Sequence, residues 1–174
     1  MIDAEQTTLT TLADEAREHV ESSRRLWGTE APKTMDRLRD LGDALLKAQL
    51  HAEALVVEEG LRNIRISRLG WEHRDTLDSC TRVAIILAAL GRNADAMAIL
   101  SPAHAAHIRV YGLEHHCTLS VVVLMVESLG ALGDDTQVEQ LLLRKSDAEM
   151  ADRARPRQAS KVRCRSGLVS ALAN

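Results

Sequence analysis

The sequence has no phenylalanine, and Phe, Trp and Tyr together supply 2% of it, although hydrophobic residues reach 45%. An interior without large rings has to be assembled from Leu, Val, Ile and Ala, a set that favours helices packed at close range. Cysteine is scarce too: Cys80, Cys117 and Cys164 form an odd set with no close pair. That argues against a disulfide framework and for a reducing compartment. No run approaches the ~20 apolar residues that a membrane-spanning helix requires. The opening Met1-Ile2-Asp3-Ala4-Glu5 is acidic and lacks the basic and apolar regions of a secretion signal. A cytoplasmic location with no membrane partner is therefore expected. Also missing are a Gly-rich phosphate loop, a nucleophile elbow and the His-Glu pair of a metalloprotease, so neither catalysis nor a cofactor is expected. A net charge of −3 is too small for bulk attraction to nucleic acid or membrane.

What the chain does have is a phrase at a fixed period. Gly70-Trp71-Glu72-His73-Arg74-Asp75-Thr76 returns as Gly112-Leu113-Glu114-His115-His116-Cys117-Thr118. A fainter copy, Gly28-Thr29-Glu30-Ala31-Pro32-Lys33-Thr34, stands upstream, and successive copies are 42 residues apart. A period of that length marks stacked supersecondary units, each leaning on its neighbours to bury a face it cannot cover alone. The expected units are 28–69, 70–111 and 112–153, preceded by a half unit over 1–27 and followed by a basic tail or short capping helix over 154–174.

Inside the units, apolar residues recur at steps of three and four. Leu9, Leu12, Ala16, Val20 and Trp27 predict one amphipathic helix that matches the second half of a unit, as if the chain entered a longer array part-way. Leu38, Leu41 and Leu45, then Ala54, Leu55, Leu61 and Ile64, predict a helical hairpin with its corner at Lys47 to Leu50. Cys80, Val83, Ala84 and Leu87, then Ala96, Ile99, Leu100 and Ala103, predict another, capped by Asp75 or Thr76 and closed at Gly91. The run from Thr118 to Val126 reads locally as a buried strand, because β-branched residues dominate it. Register overrules that reading: Thr76 aligns with Thr118, Leu87 with Leu129 and Gly91 with Gly133, which predicts a helix, with a partner helix from Thr136 to Arg153. Pro102 falls inside a predicted helix and Gly60 stands one period earlier, so a bend is expected near both.

On these residues the sequence resembles the tetratricopeptide repeats of the kinesin light chain type, whose 42-residue unit has a linker similar to G-x-E-H-x-D-T. Gly70, Glu72, His73, Asp75, Thr76, Ala84, Gly91 and Ala94 carry the match in the second unit. Gly112, Glu114, His115, Thr118 and Gly133 carry it in the third, and Gly28, Glu30, Thr34, Ala52 and Ala54 in the first. The resemblance spans about residues 9 to 153. It departs at Gly42, where the second unit has Ala84, and at the helix corners, where His51, Asn93 and Asp135 replace an aromatic. It implies an all-α fold, a right-handed α-solenoid of stacked antiparallel helix pairs. The first, or A, helices would line a concave groove that receives a peptide or helix of a partner, making a scaffold rather than a catalyst. The Asn and Lys pattern with which some repeats of this superfamily read acidic chaperone tails is missing its Asn, so that role is not expected.

The groove positions so implied are Arg39, Asp43 and Lys47 in the first unit, Asp78, Arg82 and Ile85 in the second, and Val123, Leu124 and Glu127 in the third. Their chemistry passes from charged to apolar. That predicts a ligand with one polar and one apolar end, held by Arg39 and Arg82 on carboxylates and by Val123 and Leu124 on side chains. The competing reading is a solvated surface in which Arg39, Asp43 and Lys47 form spacing-four ion pairs worth ~0.3 kcal/mol each. Val123 and Leu124 also admit a homo-oligomer through the apolar face of the third unit, or the chain's own tail folded onto it. His104, His107, His115, His116 and Cys117 lie close in sequence but follow no strong zinc spacing, so no metal is expected. From Arg153 to Arg165 the chain carries six basic residues and no acidic one. Contact with nucleic acid or an acidic partner through this tail ranks third, and nucleic acid is not the expected partner.

Overall fold

The computed structural model describes residues 2–143, with side chains from Thr7 onward. The expected basic tail, and the expected helix beyond 143, lie outside these residues. Six helices follow in order: α1 (Ile2–Trp27), α2 (Pro32–Lys47), α3 (His51–Leu69), α4 (Arg74–Ala89), α5 (Asn93–Tyr111) and α6 (His116–Leu132). A seventh, α7, occupies 135–143, and no strand occurs among the described residues. From α1 to α6 each helix packs on the next in the chain, and α4 also meets α6, so the molecule is an α-solenoid of antiparallel pairs.

The β-branched run is helical, as the register demanded. Val121 and Val122 are 0% and 7% exposed, and their burial, at ~1.5–3 kcal/mol for a side chain of that size, outweighs the few tenths lost in helix propensity. Leu45, Leu61, Leu77 and Leu100 are sealed in the same core, which runs along the stack without an aromatic ring.

The joints explain the repeated phrase. Each A helix ends on a left-handed residue: Gln49 at φ 60°, Gly91 at 74° and Gly133 at 72°. The amide one residue further on reaches back to the last turn, Leu50 to the Leu45 carbonyl at 2.9 Å, Arg92 to Leu87 at 2.8 Å and Asp134 to Leu129 at 3.1 Å. This is a Schellman closure, and it satisfies carbonyls that the helix end would leave bare. At the start of the next pair, the caps are His73 and His115, whose Nδ1 atoms accept the amides of Asp75 and Cys117 at 3.2 Å. The expected cap at Asp75 or Thr76 is thereby corrected: both residues lie inside α4, and an imidazole lone pair does the work of a carboxylate or hydroxyl. The Thr34 and Thr118 hydroxyls each donate to the carbonyl of the phrase's glycine, Gly28 and Gly112, at 2.7 Å. Glu30 and Glu72 reach forward to Arg68 and Arg109, in the last turns of α3 and α5, at 3.7 and 2.7 Å.

Helix α3 runs through Gly60 and α5 through Pro102 without interruption. Pro102 is exposed, and the Ala98 carbonyl that loses its amide donor belongs to an exposed residue, where water can serve it.

Candidate interaction groove

Helices α2, α4 and α6 carry the nine groove positions, and they divide into a paired polar end and an open apolar end. Between α2 and α4, Arg39 donates to Asp78 Oδ2 at 2.6 Å. Arg82 donates to Asp43 Oδ1 at 2.6 Å and, through Nε, to Glu58 Oε1 of α3 at 2.8 Å. Behind them Arg65 of α3 donates to the Ser79 hydroxyl at 2.7 Å and to the Asp75 carbonyl at 3.0 Å. The ion pairs of Arg39 and Asp43 thus run from helix to helix and not along α2 at spacing four.

Exposure separates the two arginines. The Arg39 side chain is 40% exposed and has one partner, whereas Arg82 is 16% exposed and doubly held. Burial by itself would lower the Arg82 pKa; the bond to Glu58 and its charge, then those of Asp43, overcome this and raise it. Glu58 is 0% exposed, and its Oε2 has no hydrogen-bond partner among the described residues. Room for it exists because residue 42 is glycine: a Cβ there would overlap Glu58 Oε1 and lie 3.0 Å from its Cδ.

At the other end, Ile85 and Val123 are 44% and 53% exposed. Leu124 is half-buried against the core, and Lys47 and Glu127 are exposed. Residue patterns alone missed Glu58 and Arg65, and marked Gly42 only as a departure from the repeat. The available signal was the pairing of two departures at one period, Gly42 against Ala84 and Glu58 against Leu100, a lost methyl beside a gained carboxylate.

A second cluster gathers at the start of α6. Tyr111 stacks on His115 with centroids 4.7 Å apart, and Arg74 stands 5.3 Å from the Tyr111 ring. Ligand atoms of His115, His116 and Cys117 lie within 4.8 Å of one another, with Cys117 Sγ 3.3 Å from His116 Nε2. Neither His104 nor His107 joins them: His107 Nδ1 is bonded to the Ala103 carbonyl at 2.8 Å. His115 is a poor metal ligand here, because its Nδ1 lone pair is spent on the Cys117 amide, which places the neutral ring's proton on Nε2. Partial burial, then the charges of His116, Arg74 and His107, lower its pKa, a surrounding that repels cations. Cys80 is an ordinary core thiol, pushed up to about 11 by burial against a smaller opposing effect of Arg62.

No protein-family model matches the sequence, and no curated protein matches it. Among solved structures, the chain is similar to the nearly identical TPR-like repeats of a kinesin light chain from Podosopora anserina, at 18% identity and a TM-score of 0.75, over 89% of this chain and 74% of that one. It is similar also to a substituted form of that protein, at 20% identity and a TM-score of 0.76, over 88% and 73%. At such identity the likeness is one of fold. No described helix is long and apolar enough to cross a membrane.

Proposed function

We propose that the chain is a non-catalytic protein-interaction module, and that the face built by α2, α4 and α6 receives a peptide or helix of a partner. The observation that carries this reading is the open apolar end: Ile85 and Val123 are each about half exposed on the same side of adjoining helices, and large apolar side chains left wet in a row mark a contact surface. Arg39, with one exposed partner, can exchange Asp78 for a ligand carboxylate. Arg82 is tied by Glu58 and Asp43 and acts as the wall that sets the spacing of α2 and α4. The ligand therefore places apolar side chains over Ile85, Val123 and Leu124, and an acidic group near Arg39, with Asp43, Lys47, Asp78 and Glu127 at the margin. Affinity capture with quantitative mass spectrometry tests this. Ile85→Glu with Val123→Glu loses the proteins that the native chain retains, while circular dichroism stays unchanged; capture of the same set by both chains refutes the reading.

The exposure of Val123 favours one further occupant, a second copy of the chain. In that case the mass in solution rises with concentration and Val123→Glu abolishes the rise.

A further inference from the structure

The chain has a second open face, at its N-terminal edge. Leu12, Ala54 and Ala96 stand one period apart on α1, α3 and α5. Ala54 and Ala96 are 0% exposed, whereas Leu12 is 47% exposed. Further along the same stripe, His19 is exposed where Leu61 and Ala103 are sealed. Helix α2 packs ahead of α3, and α4 ahead of α5, but no described helix packs ahead of α1. Between α1 and α2 lies instead an open cavity of about 320 Å³, walled by Leu9, Leu12, Asp40, Asp43, Ala44 and Lys47.

We propose that this edge is a docking site for an amphipathic helix of a partner protein, one bearing two basic residues four apart beside its apolar stripe. The molecule holds its own template for the complex. Long side chains bridge α2 and α4, Arg39 meeting Asp78 and Arg82 meeting Asp43, again at spacing four. One period earlier, the residues in the places of Asp78 and Arg82 are Asp36 and Asp40. A helix set before α2 as α2 stands before α4 therefore presents its side chains to two carboxylates instead of a carboxylate and a guanidinium. Both are exposed, and among the described residues Asp40 pairs only with Arg37 of its own helix, at 3.2 Å, with both side chains more than half exposed. Charge complementarity asks for Lys or Arg at both matching positions, and Leu9 and Leu12 supply the apolar floor.

The probe is a fluorescent peptide of residues 31–48 with Asp43→Lys, which carries basic groups at both positions, titrated against the full chain by anisotropy. Saturable binding is expected, about tenfold weaker for Leu12→Glu and for Asp36→Lys with Asp40→Lys, and weaker for the unaltered peptide. These three sites are solvent-exposed, and circular dichroism verifies that the variants fold. Ile85→Glu with Val123→Glu leaves this binding unchanged, which separates the edge from the groove. No binding, or equal affinity for both peptides and all variants, overturns the proposal. So does a dimer of the free chain that Leu12→Glu dissolves, because a second copy would then own the face.

Discussion

Substituting Gly42 by alanine should destabilise this protein, against the ordinary rule. Inside a helix, Gly→Ala stabilises by ~1 kcal/mol. Here the new methyl would overlap Glu58 Oε1. Glu58 is 0% exposed and bound to Arg82 at 2.5 Å, so its carboxylate has nowhere to retreat without breaking the pair. Breaking a buried pair by displacing one member costs ~3–5 kcal/mol, which leaves Gly42→Ala ~2–4 kcal/mol worse. Glu58→Leu installs the residue that stands one period later at Leu100. Alone it costs less, ~1–2 kcal/mol, because Arg82 keeps Asp43 and a route to water. With the carboxylate gone the methyl fits, so Gly42→Ala in the Glu58→Leu background becomes neutral or stabilising by up to ~1 kcal/mol. The cycle is read from urea unfolding followed by circular dichroism, with unchanged slopes. A Gly42→Ala effect of the same sign and size in both backgrounds refutes the account of Glu58 as the reason for glycine.

Three further outcomes follow from the joints and helices. Gln49 occupies the left-handed position that Gly91 and Gly133 fill, so Gln49→Gly should raise stability by ~0.5–1 kcal/mol in the same assay. Pro102→Ala should restore the amide bond to Ala98 and stabilise by up to ~3 kcal/mol, the same measurement deciding the sign. His115 has a lowered pKa relative to 6.5, as does His104 through burial and then His107. The folded chain therefore takes up these protons at lower pH than the unfolded chain does. Stability is complete above 6.5 and declines as the pH falls from there toward the folded values. Thermal melts from about pH 7.5 to about pH 5.5 should show this decline, and His115→Asn, which keeps a cap without titrating, should flatten it.

The stacked helices were legible because their joints are local. The parts act within seven residues, a glycine at positive φ in each copy, a capping imidazole at His73 and His115 and a threonine hydroxyl at Thr34 and Thr118, so the phrase from Gly70 to Thr76 and its copies could be read without coordinates. The same locality let the register overrule the strand-like run in α6. Legibility failed where a side chain's partners come from other helices. Glu58 reads as one more surface carboxylate in α3 until α2 and α4 close over it. Arg82 likewise reads as a free ligand anchor until its two internal partners are seen. Nor does sequence reveal that the turn of Pro102 faces water. The exposure of Leu12 was equally hidden, since the periodicity of α1 is the same whether or not a helix lies ahead of it.

If the face of α2, α4 and α6 is the one that binds, a captured partner covers it. Covalent footprinting of the chain alone and with a captured partner reads this directly. Protection at Ile85 and Val123, with Val56 of α3, 71% exposed in the free chain, labelled equally in both states, is the predicted result. Protection at Val56 with Ile85 and Val123 unchanged contradicts it.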